Sequence, residues 1–256
     1  MYDLASDIMN DKVPAGALHL YWLGGAGFIL KSSDLTVGVD LFLTDSCRDQ
    51  DGRFKRIVPP PLSPDSLDLD YLIASHDHGD HLDVEAGPVL VGPRTRTRLF
   101  GPRSVVEHAV ALGISAERIS ELNRGDVLLL PGVSMHAVTS DHGEYSADAI
   151  GVVFTIAGKT VYFTGDTCYY PRLWRDQSFR GQIDVMLVPI NGNAGNTDSR
   201  DAAHFCREVE TSAAIPCHYW IFKEFTGSPS DFVAECAVRA PKTKVIVPAI
   251  GERVVF

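Results

Sequence analysis

The segment His76-Asp77-His78-Gly79-Asp80-His81 sets three imidazoles and a carboxylate at ligand spacing within six residues. Imidazole is the commonest protein ligand for borderline divalent metals, and a carboxylate adds charge neutralisation. His76 and His78 can point at one site, and Asp80 and His81 at a neighbouring one once the chain turns at Gly79. A complete centre needs more ligands than this loop supplies. Three other segments offer a ligand type just past an apolar run. They are His142 after Val138-Thr139, Asp166 after Val161-Tyr162-Phe163-Thr164-Gly165, and His218 after Ala214-Ile215-Pro216-Cys217. Each alone is an ordinary loop residue. Together they repeat a pattern of strand followed by ligand, which predicts convergence at one edge of a sheet.

Short strands must carry these residues. Leu18–Leu23, Phe28–Lys31 and Leu35–Asp40 are β-rich runs separated by the turn signals Gly24-Gly25 and Ser32-Ser33-Asp34. Tyr71–Ser75 is a short continuous apolar run, as expected of a buried strand, and it leads directly into His76. Between them, Leu41–Asp70 is polar and holds Pro59-Pro60-Pro61 and Pro64, so it reads as a long loop of the kind that often carries function. Further strands are expected at Val127–Leu130, Ser134–Thr139, Ile150–Ile156 and Thr160–Thr164, the last two joined as a hairpin at Ala157-Gly158-Lys159. Strands at Asp184–Val188, Ala213–Cys217 and Lys244–Val247 alternate with helices at Ser199–Glu210 and Pro229–Arg239, and an earlier helix spans Ser104–Leu112. Asp198 or Ser199 is the expected N-cap of the Ser199 helix. The pattern is that of a layered α/β domain.

Composition narrows the function classes. The 256 residues are 45% hydrophobic and 22% charged with a net charge of -10, which excludes a disordered chain. The acidity argues against a nucleic-acid track or an anionic membrane surface, because both need a basic face. Five cysteines without CxxC spacing predict neither a disulfide framework nor a zinc ribbon, and fit thiols in a reducing cytoplasm. The N-terminal residues lack the basic and apolar regions of a signal peptide. No apolar stretch is long enough to span a bilayer.

On these residues the chain resembles the metallo-β-lactamase fold hydrolases. Their signature H-x-H-x-D-H is matched without a gap by His76, His78, Asp80 and His81. The other acidic and histidine motifs follow in the family's order at Asp40, His142, Asp166 and His218. The resemblance covers roughly residues 15–256 and implies one domain over 1–256, a four-layer αββα sandwich of the α/β class. Within the family the chain looks most similar to the L-ascorbate-6-phosphate lactonase-like group. The supporting strings are Tyr21–Gly27, His76–Asp83, Thr164–Tyr169, Gln182–Val185 and Ile215–Trp220. It departs where those lactonases carry Asn-Pro-Arg-Gly: here the residues are Asn193-Ala194-Gly195-Asn196, without the Arg.

The resemblance implies that His76, His78 and His142 hold one metal and Asp80, His81 and His218 a second, with Asp166 bridging. Two such ions bring a shared water to hydroxide near neutral pH. Asp80, with Asp166, is then the expected catalytic carboxylate, and Asp40 orients a ligand from outside. The expected activity is hydrolysis of a lactone or related cyclic ester or amide of a small polar molecule. A phosphodiesterase is the first alternative, and a non-catalytic metal-binding member of the fold the second. Both Zn²⁺ and Mn²⁺ suit the donor set. Expected partners are a small-molecule substrate, which can be anionic, and a second copy of the chain in a homo-oligomer. His136 competes with His142, which is preferred because it lies past the strand end beside Gly143. His19, His108 and His204 read as structural. Tyr169, Tyr170, Tyr219 and Trp220 could line a pocket, as could Asn191, Asn193 and Asn196. Arg48, Arg53, Lys55 and Arg56 read as a solvated loop face that could attract an anion.

Overall fold

A computed structural model describes residues 3–170 and 180–256. The chain forms two compact units, Met1–Leu122 with Pro248–Phe256, and Asn123–Val247. Among the described residues no helix is long and apolar enough to cross a membrane.

The first unit is built on a seven-stranded sheet. Its strands are β1 (His19–Gly24), β2 (Gly27–Lys31), β3 (Thr36–Val39), β4 (Tyr71–Ile73), β5 (Arg98–Gly101), β6 (Ile119–Glu121) and the returning β14 (Arg253–Val255), in the order β14-β1-β2-β3-β4-β5-β6. The β14, β1, β2 and β3 neighbours pair antiparallel, and β3 through β6 run parallel. All residues of β1, β2 and β3 are buried, which is why they read as continuous apolar runs rather than alternating ones. The helices are α1 (Leu4–Asn10), α2 (Gly87–Leu90) and α3 (Arg103–Ala111). Asp3 caps α1 by accepting from the Ser6 N–H. At the other end, the buried Lys31 ammonium donates to the carbonyls of Ile8 and Met9. A cation there satisfies orphan carbonyls and complements the helix dipole.

The second unit carries the other seven-stranded sheet. Its strands are β7 (Val127–Leu130), β8 (Val133–Thr139), β9 (Ile150–Ile156), β10 (Lys159–Phe163), β11 (Val185–Pro189), β12 (Ala213–Cys217) and β13 (Lys244–Val245), in the order β13-β12-β11-β10-β9-β8-β7. Strands β7 to β10 pair antiparallel, and β10 to β13 parallel. Helix α4 (Ser199–Val209) packs against β11 and against α5 (Pro229–Arg239). It buries Ala202, Ala203, Phe205, Cys206 and Val209. Its N-cap is Asp198, whose side chain accepts from the Asp201 N–H at 2.8 Å.

Most expected elements appear within a residue or two of their predicted limits. Five short ones go beyond the sequence pattern: α1, α2, β5, β6 and β14. The β5 run is only Arg98-Leu99-Phe100-Gly101 after an arginine- and threonine-rich stretch, so no local period marks it. Its strand identity comes from parallel pairing with β4 and β6. The predicted strand over Lys244–Val247 shortens to two residues, because only Lys244 and Val245 pair with β12.

Candidate metal centre

In the first unit the donors gather past the ends of the parallel strands β3 and β4. Asp40 directly follows β3 and is fully buried, with φ at 43°. A left-handed conformation is uncommon for a residue with a side chain, and such strain clusters at functional sites. The bend turns the carboxylate toward the chain leaving β4. One oxygen accepts the Ser75 N–H at 2.7 Å, and the other accepts the Ser75 hydroxyl and His81 Nδ1, each at 2.5 Å. Asp40 thus fixes the His81 ring and leaves Nε2 facing Asp80, 3.8 Å from one of its oxygens. This is the outer carboxylate–histidine arrangement found behind metal ligands.

The ligand loop folds back on itself. The His81 and Leu82 N–H groups both donate to the His78 carbonyl, at 3.0 and 2.7 Å. His76, fully buried, lies with its ring centroid 4.4 Å from His78 and 4.1 Å from His81. Its Nδ1 meets the Ser75 hydroxyl at 3.0 Å and its Nε2 meets His78 Nδ1 at 2.9 Å. Asp40, His76 and His81 offer ligand atoms that all lie within 4.8 Å of one another.

Two supports carry little signal in the sequence. Asp83, buried, accepts from the backbones of Leu43, Thr44, Glu85 and Ala86 and from the hydroxyls of Thr44 and Ser46. That carboxylate ties the start of the long loop to the ligand loop. Its sequence signal is its place at the end of the His76–Asp83 stretch, two residues after His81. His108 of α3 meets the Asp77 carbonyl through Nδ1 at 3.2 Å, so this structural histidine also braces the ligand loop.

Arg56 corrects the expectation of a solvated cationic loop face. It is buried, donates to the carbonyls of Phe42 and Val58, and lies over the Phe42 ring. Burial pushes its guanidinium down, against the charges of Asp83 and Asp45. Arg48, Arg53 and Lys55 are at least partly exposed. Cys47 packs toward the same loop, but burial and the charges of Asp80 and Asp83 push its thiol well up.

In the second unit His142, Asp166 and His218 follow β8, β10 and β12, and all three are buried. The two Asp166 oxygens face different imidazoles: Oδ2 lies 3.8 Å from His142 Nε2 and Oδ1 lies 3.5 Å from His218 Nε2. The convergence expected at a sheet edge is therefore present within this unit. Gly165, at φ 64°, turns the chain after β10 so that Asp166 faces this way. The turn is stitched to the His142 loop. The Ser140 hydroxyl donates to the Asp166 carbonyl, the Asp141 N–H to the Thr167 hydroxyl, and the Cys168 N–H to the Asp141 carbonyl. His218 has φ at 61° and stacks on Phe225. His136 lies within β8, paired with Val127 and Val153, whereas His142 comes after the strand has ended.

The expected pocket residues divide. Asn196 donates from Nδ2 to Asp166 Oδ2 at 2.7 Å. Asn191 donates to Asn193, and Asn193 to the Glu224 carbonyl, so these two brace a loop. Tyr219 is buried, Trp220 is exposed, and Tyr169 stacks on His204. Tyr145, not anticipated, lies exposed with its ring 5.4 Å from that of His142.

The donor chemistry fits a divalent metal. Imidazole nitrogens and carboxylate oxygens are the ligands of Zn²⁺ and Mn²⁺ sites. The 3.5 and 3.8 Å spacings at Asp166 are wider than the roughly 2.7–3.2 Å of an N–H···O bond, as expected of groups that share an ion.

Comparisons with known proteins agree. Residues 41–219 match the model of the Beta-lactamase superfamily domain. The chain is similar to a metal-dependent hydrolase of Methanopyrus kandleri, 27% identical over 247 residues that cover 92% of this chain and 98% of that protein. It is also similar to the "Probable L-ascorbate-6-phosphate lactonase UlaG" of Escherichia fergusonii, 26% identical over 272 residues covering 89% of this chain and 77% of that one. Igni18, a metallo hydrolase of Ignicoccus hospitalis, shares the fold with a TM-score of 0.73 and 21% identity, over 94% of this chain and 98% of that chain. The chain therefore has the metallo-β-lactamase fold, and it belongs to the β-lactamase superfamily.

Proposed function

We propose that this protein, a metal-dependent hydrolase, opens a lactone or related cyclic ester or amide of a small polar molecule at a dinuclear centre. His76, His78 and His142 would hold one ion, and Asp80, His81 and His218 the other, with Asp166 shared between them. The observation that carries this reading is Asp166, whose two oxygens each face a different imidazole. The lactonase likeness of one relative supports the substrate class. Zn²⁺ and Mn²⁺ both suit the donors.

Bound there, a pair of divalent ions supplies Lewis acidity toward the scissile carbonyl and water activation at neutral pH. The chain's own residues do the rest. Asp40 holds the His81 proton on Nδ1 and so keeps Nε2 as the donor. Asp80, half-buried beside His81 Nε2, takes the proton from the attacking water and returns it to the leaving oxygen. A positively charged centre in an acidic chain lets a negatively charged small molecule bind without a basic surface.

The test is elemental analysis of protein purified without chelator, with a substrate panel. About two divalent ions per chain and turnover of lactones are expected. Less than about half an ion per chain, with no gain on adding Zn²⁺ or Mn²⁺, would sink the dinuclear reading. Turnover of bis-p-nitrophenyl phosphate but no lactone would replace the lactonase by a phosphodiesterase.

A further inference from the structure

We propose that Asn196 is a positioning residue that locks the Asp166 carboxylate and makes its two oxygens unequal donors. The proposal rests on the reading of Asp166 as the shared ligand.

The amide is aimed by its loop. The Gly192 N–H donates to the Thr197 carbonyl and the Asn196 N–H to the Asn193 carbonyl, each at 3.0 Å, closing the loop on itself. The Thr197 N–H donates to the Thr167 carbonyl at 2.8 Å, and the Thr197 hydroxyl to the Pro189 carbonyl at 2.6 Å. The residue after Asn196 is thus bonded to the residue after Asp166, which sets the two side chains opposite each other. Ala194 and Gly195 both adopt left-handed φ, 49° and 78°. A Cβ at 195 would lie 3.2 Å from Tyr145 and 3.4 Å from His142 Nδ1, so the same loop closes down on the His142 ring.

The orientation of the amide follows from the carboxylate. Asn196 Nδ2 donates to Asp166 Oδ2 at 2.7 Å, a charge-assisted hydrogen bond. Turned over, the amide would set its carbonyl oxygen against a carboxylate oxygen. In the observed orientation Oδ1 is buried and accepts no hydrogen bond among the described residues. A side chain that leaves its acceptor without a partner to give its donor one is held there for the carboxylate. The bond occupies a lone pair of Oδ2, the oxygen on the His142 side, and restrains rotation of the whole group. This loop is also where the chain departs from the lactonases' Asn-Pro-Arg-Gly.

The test is Zn²⁺ affinity by chelator competition in the wild type, Asn196→Ala and the shape-matched Asn196→Asp, with thermal denaturation of the metal-free and metal-loaded forms. Both variants should weaken at least one ion by about tenfold or more, as loss of an outer partner does. Asn196→Asp removes the same donor but adds a negative charge that offsets part of the loss, so Asn196→Ala should show the larger effect. The metal-loaded variants should lose more Tm than the metal-free ones, because only the loaded form also loses metal affinity. Wild-type affinity in both variants would overturn the proposal. So would an equal loss of Tm with and without metal, which would mark Asn196 as a purely structural bond. A wild-type protein that takes up no Zn²⁺ would overturn the dinuclear reading itself, and the proposal with it.

Discussion

The two units use the same sheet plan and arrange their candidate metal ligands in opposite ways. In each, an antiparallel run of strands passes into a parallel one, at β3 in the first unit and at β10 in the second. An aspartate follows that strand in both cases, Asp40 after β3 and Asp166 beyond the turn after β10. From there they diverge. The first unit places its imidazoles on a single loop after β4 and uses Asp40 as their orienting partner. The second brings one histidine from β8 and one from β12 to Asp166 itself. A contiguous loop is braced locally, here by Asp83 and His108. Dispersed ligands need their strand ends registered and their loops cross-linked, which Ser140, Thr167 and Thr197 do. Parallel strands suit both plans because their carboxyl ends open onto one edge.

Several substitutions would break or sharpen this contrast. The largest effect is expected on turnover. His78→Ala in the first unit and Asp166→Asn in the second should each lower kcat by more than about a hundredfold, beyond the loss typical of an outer partner. Far-UV circular dichroism should be unchanged. Full activity in either variant would show that its unit does not contribute in the assigned way.

Next comes stability, followed by urea denaturation. Asp83→Ala strands several buried donors at once and should cost about 3 kcal/mol or more. Thr197→Val removes one hydroxyl bond in the second unit and should cost only about 1 kcal/mol. Equal costs would mean that the contiguous loop has no special dependence on its brace.

The smallest effect concerns pH. Burial raises the Asp11 carboxyl, but hydrogen bonds from Tyr21 and His19 and the charges of His19 and Arg253 outweigh it and hold the group below its ordinary value. Its folded pKa therefore lies under the unfolded one. The stabilisation is complete above about pH 4 and is lost as the pH falls through the lowered value. In the second unit, burial and then the Asp198 charge raise Asp201, which reverses the sign, so acid relieves a cost there. Asp11→Asn should flatten the acid decline of Tm. An unchanged acid limb would show that Asp11 is not its source.

How much of this was legible in the sequence depends on distance along the chain. His76, His78, Asp80 and His81 stand together, so their types and spacing alone point to a candidate metal-binding loop. The helices at Ser199 and Pro229 were equally readable, because caps and apolar periodicity are local signals. The strands β5, β6 and β14 were not, since each is three or four residues long and exists by pairing with a neighbour. The burial of Arg56 escaped for the same reason: a basic loop residue carries no mark of the carbonyls and ring that will enclose it.

The sequence by itself determined the donors, their order and the family to which they belong. Only the tertiary structure decided their aim. It turned Asp40 through a left-handed bend onto His81, divided the Asp166 oxygens between His142 and His218, and set the Asn196 amide on one of them. Ligand identity is a property of a residue, and one chain position suffices to state it. Ligand orientation depends on hydrogen bonds between residues tens of positions apart, and only the folded backbone brings them within reach.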